Sequence, residues 1–141
     1  MSCVGPLSIL FIINYMSQLL YVSLGGALGA ISRYLVAGWI QNIFSTIFPW
    51  GTITVNILGS FLLGFVLQAS IEGSISSEYR LLLAVGFLGA FTTFSTFAYE
   101  ALELLKLGQV WQMFIYIGFN LLGGIFLVAL GMASYNLLHG T

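Results

Sequence analysis

The 141-residue sequence contains no aspartate, one cysteine, one histidine and few charges: three Lys or Arg against four Glu. Each scarcity excludes a chemistry. A Ser-His-Asp triad, a zinc site and a carboxylate pair on Mg²⁺ all lack their parts. The lone Cys3 permits no internal disulfide or thiolate cluster. His139, close to the end of the chain, reads as a solvated residue rather than part of a site. A net charge of −1 leaves no basic footprint for nucleic acid. Charged residues make up 5% of the chain and hydrophobic ones 60%, whereas a soluble domain carries roughly a quarter charged. The surface therefore faces a lipid bilayer, and the protein is an integral membrane protein that is not an enzyme.

What is present is organised as membrane spans, each needing about 20 mostly apolar residues. Four segments qualify, roughly 17–44, 50–70, 79–106 and 109–137, which predicts an all-α, four-helix transmembrane domain over 17–141. The breaks carry turn chemistry: "FPWG" at 48–51, "EGSISSEYR" at 72–80 and "KLGQ" at 106–109. Residues 1–16, "MSCVGPLSILFIINYM", lack the basic start of a signal peptide. They read as an extension without function, whether an upstream artefact before Met16, an elongation of the first helix or an interfacial segment.

Orientation normally follows an excess of Lys and Arg in cytoplasmic loops. Here Arg80 flanks the second connection and Lys106 the third, one basic residue on each side of the membrane. A signal this balanced predicts insertion in both orientations. Small residues at four-residue spacing, Gly25 with Gly29 and Ser60 with Gly64, together with Gly123–Gly124, predict tight helix contacts, including contacts between subunits.

Polar residues inside spans are costly and so become functional candidates. Arg33 either snorkels to the interface or acts inside the first span. Glu100 is either an interfacial residue, a partner for a cation or part of a transport path. Asn56 and Asn120 each offer an uncharged amide that either bridges helices or lines a polar path. The stretch "GAFTTFSTF" at 89–97 is the most unusual. The third span is too long for a membrane of about 30 Å if continuous. Gly86 and Gly89 permit unusual dihedrals and Thr92, Thr93 and Ser95 can satisfy freed backbone groups, so the stretch predicts a break at mid-depth. Phe94 and Phe97 share a helical face and present either lipid-facing filler or electron-poor ring edges to an anion.

Four motifs, "GGALGAISRYL", "GTITVNILGSFLLG", "GFLGAFTTFSTFAYE" and the later "NLLGG", resemble the Fluc (CrcB) fluoride channels over about residues 19–138. The resemblance implies a passive, fluoride-selective channel of the cell membrane that lowers cytoplasmic fluoride. It implies an antiparallel, dual-topology homodimer with two pores along the subunit interface. It further implies a structural Na⁺ at the dimer centre, held by the backbone carbonyls of Gly89 and Thr92. The ion pathway it implies contains Asn56, Phe94, Phe97, Tyr116 and Asn120, and Ser95 and Thr96 add hydroxyls that can replace a halide's water. Arg33 and Glu100 correspond to the family's first-helix arginine and the glutamate after its second phenylalanine. The sequence departs from the pattern at Ala90, where family members often have a second glycine, and at Asn120, where serine is common. Two other readings stand beside it. A proton-coupled small multidrug-type antiporter would want a carboxylate in the first span, where this chain has Arg33 and no Glu before Glu72. A non-transporting subunit of a membrane complex would not need the Thr/Phe break.

Overall fold

In lipid, each backbone N–H and C=O must find its partner within the segment, so long apolar runs fold as helices. The computed structural model describes residues 6–140, with side chains from Asn14 onward. Its helices are α1 (Pro6–Phe44), α2 (Trp50–Ile71), α3 (77–91), α4 (Phe94–Lys106) and α5 (Val110–His139). Helices α3 and α4 together form one interrupted span, so four spans are long and apolar enough to cross a membrane. Of the amino-terminal stretch, residues 6–16 continue α1, while residues 1–5, Cys3 among them, lie outside the described residues.

The turns form where the punctuation residues predict them. Gly73 and Gly108 both sit at φ 73°, just past the ends of α2 and α4. In each case the following N–H reaches back to close the helix: Ser74 to the Ala69 carbonyl, and Gln109 to the Leu104 carbonyl, both at 2.9 Å. This is the left-handed glycine cap that stops a helix and satisfies its last carbonyls.

Helix α1 packs along α3, and α2 packs along the second half of α5. Both seams bring backbone onto backbone. A Cβ at Gly29 would overlap the Phe87 carbonyl, and one at Gly131 would overlap the Phe61 carbonyl. The Gly25/Gly29 pair, expected to serve contacts that include those between subunits, meets α3 of the same chain at Leu82 and Phe87. Likewise Gly64 faces Val128 of the same chain. Near the other end, Ile53, Phe97, Ala101, Leu104 and Tyr116 form a buried cluster joining α2, α4 and α5, with Phe48 and Trp50 against it.

Two stretches of wider helical turn interrupt the regular ladder, Leu81–Leu88 in α3 and Phe119–Gly123 in α5. Such insertions re-aim the side chains that follow them. The expected role of glycine in the break needs correction. Gly89 has ordinary helical dihedrals, φ −62° and ψ −32°, and Gly86 is absent from the positive-φ residues. Gly86 instead admits the backbone of α1 at Val22. The chain leaves the helix at the two threonines.

Candidate functional site

The break consists of Thr92 (φ −83°, ψ 160°) and Thr93 (φ −149°, ψ 118°), both extended. Extended backbone in the middle of a span strands polar groups, and each buried one left unpaired costs roughly 1–3 kcal/mol. Asn56, on α2, supplies the missing partners. Its Oδ1 accepts the Thr93 N–H at 2.8 Å and its Nδ2 donates to the Thr93 carbonyl at 3.1 Å. The side-chain amide thus pairs with Thr93 as a neighbouring strand would.

The threonine hydroxyls complete the exit and the restart. Thr92 Oγ1 donates to the Leu88 carbonyl at 3.0 Å, closing α3. Thr93 caps α4, its Oγ1 accepting the Thr96 N–H at 3.3 Å and donating to Thr96 Oγ1 at 3.0 Å. These bonds divert two donors from their helical acceptors. In a continuous helix the Thr93 N–H would reach the Gly89 carbonyl and the Thr96 N–H the Thr92 carbonyl. Among the described residues, no hydrogen bond reaches either carbonyl. Gly89 is exposed on the protomer surface. No three His, Cys, Asp or Glu side chains gather among the described residues, so free carbonyl oxygens are the donor set available to a hard cation here. Oxygen donors suit such an ion.

Two grooves flank the break and share Thr93. One, about 210 Å³, is lined by Asn56, Ser60, Thr92, Phe94, Phe97 and Asn120 among others. It gathers most of the residues expected in the ion pathway. Asn56 Nδ2 also donates to Asn120 Oδ1 at 2.7 Å, and Asn120 Nδ2 donates to the Tyr116 carbonyl at 2.9 Å. Asn120 lies in the widened turn of α5. The Phe94 and Phe97 rings are 5.5 Å apart and inclined at 56°, as their shared face predicts. Their surroundings differ, however: Phe97 is buried, while Phe94 is 74% exposed on the protomer.

The second groove, about 330 Å³, brings half-buried Arg33 to Thr52, Thr93 and Thr96. Thr96 therefore stands with Arg33 rather than with the asparagines. Ser95 is exposed and lines neither groove. Tyr116 is fully buried behind Phe97, with ring centroids 5.4 Å apart. Its hydroxyl donates to Glu100 Oε2 at 2.6 Å. Glu100 pairs with this tyrosine, and the structure's salt bridge among described residues joins Lys106 to Glu103. A third cavity, about 240 Å³, holds Gln41, Glu100 and Glu103 near the end of the span.

Reasoning from sequence placed Thr93 in the break but missed its role as the cap of α4, and it missed Ser60 and Thr52 as groove residues. Thr93 and Thr96 form a hydroxyl pair at the spacing of an N-cap with its third helical residue, a signal that marks the restart of a helix.

The family model described as "CrcB-like protein, Camphor Resistance (CrcB)" matches residues 20–132. The chain is 49% identical to the fluoride-specific ion channel FluC of Thermus thermophilus over 116 residues, 82% of this chain and 93% of that one. It is 48% identical to the FluC of Hahella chejuensis over 122 residues, 86% and 96% of the two chains. With the FluC of Shewanella woodyi the identity is 44% over 116 residues, 82% and 94%.

Proposed function

The chain belongs to the CrcB family, and from that premise we propose that it is a fluoride-specific ion channel of the cell membrane, working as an antiparallel pair of copies. The observation that carries this reading is the break at Thr92–Thr93, opening onto a groove of uncharged amides and ring edges. Fluoride is small and strongly hydrated, so a pore must replace its water with donors and positive edges. Asn56, Asn120 and the edges of Phe94 and Phe97 supply these without a fixed charge that would trap the ion. Thr52 and Thr96 stand with Arg33 in the second groove, where Arg33 raises the local anion concentration beside the break. Glu100 holds the Tyr116 hydroxyl in place.

Pairing of two copies is supported by what a single copy leaves open. Phe94 and Gly89 are exposed on the protomer, and the Gly89 and Thr92 carbonyls lie unpaired at mid-span, where lipid offers no hydrogen bonds. A second copy covers them. Balanced Arg80 and Lys106 allow that copy to insert the other way round. A Na⁺ bound by the Gly89 and Thr92 carbonyls of both copies would supply fixed positive charge and tie the two breaks together.

Transport is passive, driven by voltage and fluoride gradient. Efflux from proteoliposomes, read with a fluoride electrode, is expected to persist when no proton gradient exists. Phe94→Ile and Asn56→Asp are expected to slow it at least about tenfold, a barrier change of about 1.4 kcal/mol. Efflux that disappears with the proton gradient favours the antiporter instead. Unchanged flux in both variants removes the groove from the pathway.

A further inference from the structure

Asn56 has two amide hydrogens and both are engaged: one on the Thr93 carbonyl at 3.1 Å, the other on Asn120 Oδ1 at 2.7 Å. Its single carbonyl oxygen accepts the Thr93 N–H. In this arrangement Asn56 therefore has no donor left for an anion, although it lines the groove. The bond to Thr93 cannot be given up cheaply, because it satisfies extended backbone within the span. The bond to Asn120 can. Asn120 Oδ1 is a neutral acceptor seated where a small anion would compete for the same N–H. Asn120 itself uses one N–H on the Tyr116 carbonyl, which keeps its amide turned toward Asn56, and retains a second N–H.

We propose that Asn120 is a positioning residue whose side-chain oxygen stands in for the anion, occupying the second N–H of Asn56 until fluoride displaces it. Asn120 thereby sets the fluoride concentration at which the groove fills. This inference rests on the fluoride-channel reading and adds the competitor to it. An anion forms a stronger bond to an amide N–H than a neutral carbonyl does, so fluoride wins at sufficient concentration and the amide returns when the ion leaves. Water in the empty groove then meets an Asn56 amide that is already satisfied.

The test follows the side-chain amide resonances of Asn56 and the side-chain carbonyl of Asn120 by NMR, in the full-length protein in nanodiscs titrated with sodium fluoride. In the wild type both signals are expected to move with one midpoint, and sodium chloride is expected to leave them in place. Asn120→Ser and Asn120→Ala remove the competing acceptor, since their side chains are too short to reach Asn56. A net hydrogen bond of ordinary strength predicts a midpoint lower by about fivefold. A residue that merely braced the break would give an unchanged or higher midpoint, and that result overturns the inference. Should neither variant yield monodisperse protein, the wild type still decides: an Asn120 carbonyl signal that stays fixed while Asn56 responds overturns it. Absence of fluoride efflux from wild-type proteoliposomes is a separate outcome, which removes the channel reading itself.

Discussion

The α2–α5 seam and the third span are built from similar residues, apolar side chains interspersed with small and hydroxyl-bearing ones, yet they solve opposite problems. Along the seam the backbone stays helical and the helices need proximity, so Gly64 and Gly131 remove side chains until backbones touch. In the third span the backbone leaves the helix, and the need is for partners rather than space. There Asn56, Thr92, Thr93 and Thr96 replace the lost ladder bonds. Glycine and hydroxyl residues in a membrane span therefore answer different questions. At Gly64 and Gly131 glycine marks where another backbone arrives, whereas Asn56, Thr92 and Thr93 mark where this backbone departs.

Four substitutions sharpen that contrast, in descending order of effect. Gly131→Leu forces a side chain into the Phe61 backbone. Overpacking typically costs 1–3 kcal/mol, and here the obstacle is backbone rather than a mobile side chain, so about 3 kcal/mol or more is expected. The readout is loss of monodisperse protein on size exclusion. Asn56→Leu keeps the branched outline but leaves the Thr93 N–H and carbonyl without partners. It is expected to cost about 2–3 kcal/mol in thermal unfolding and to abolish fluoride efflux. If it instead unfolds at the wild-type temperature, the break does not depend on the amide.

Thr93→Val preserves shape while removing the cap of α4 and the link to Thr96. About 1 kcal/mol is expected from a lost cap, seen as faster hydrogen exchange in the first turn of α4 and not in α3. The smallest effect belongs to the surface. Lys106→Gln removes the exposed pair with Glu103, and exposed pairs contribute little. Its melting temperature is expected to match the wild type. Any change should appear in orientation, measured by labelling engineered cysteines from each side of the membrane, because Lys106 is half of the loop charge balance.

Much of the site was legible in the sequence because polar residues stand out against an apolar background. With few charges and no aspartate, Asn56, Asn120, Arg33 and Glu100 each demanded an explanation by residue type alone. The position of the break was legible to within a few residues, since only "TTFST" offers consecutive hydroxyls near the middle of an overlong span. Which residues unwind was not, because Gly86 and Gly89 suit either an unusual dihedral or a close helix contact. A neighbour decides between those uses, and the sequence does not say which neighbour is near. The same holds for Thr96 and Ser95, whose hydroxyls are chemically suitable but are turned by the restart of α4 away from the asparagine groove.

The residue string alone determined that this chain lives in lipid as four helices. The free energy of placing its surface in water excludes a water-exposed globule, and apolar runs of about 20 residues select helices over the shorter strands of a barrel. Tertiary structure alone decided that Asn56 serves Thr93 on both edges and Asn120 on its remaining hydrogen, that Glu100 holds a tyrosine, and that the glycine pair of α1 is used within its own chain. Those outcomes depend on hydrogen-bond geometry between residues far apart in sequence, and a one-dimensional pattern does not contain the angle at which two helices meet.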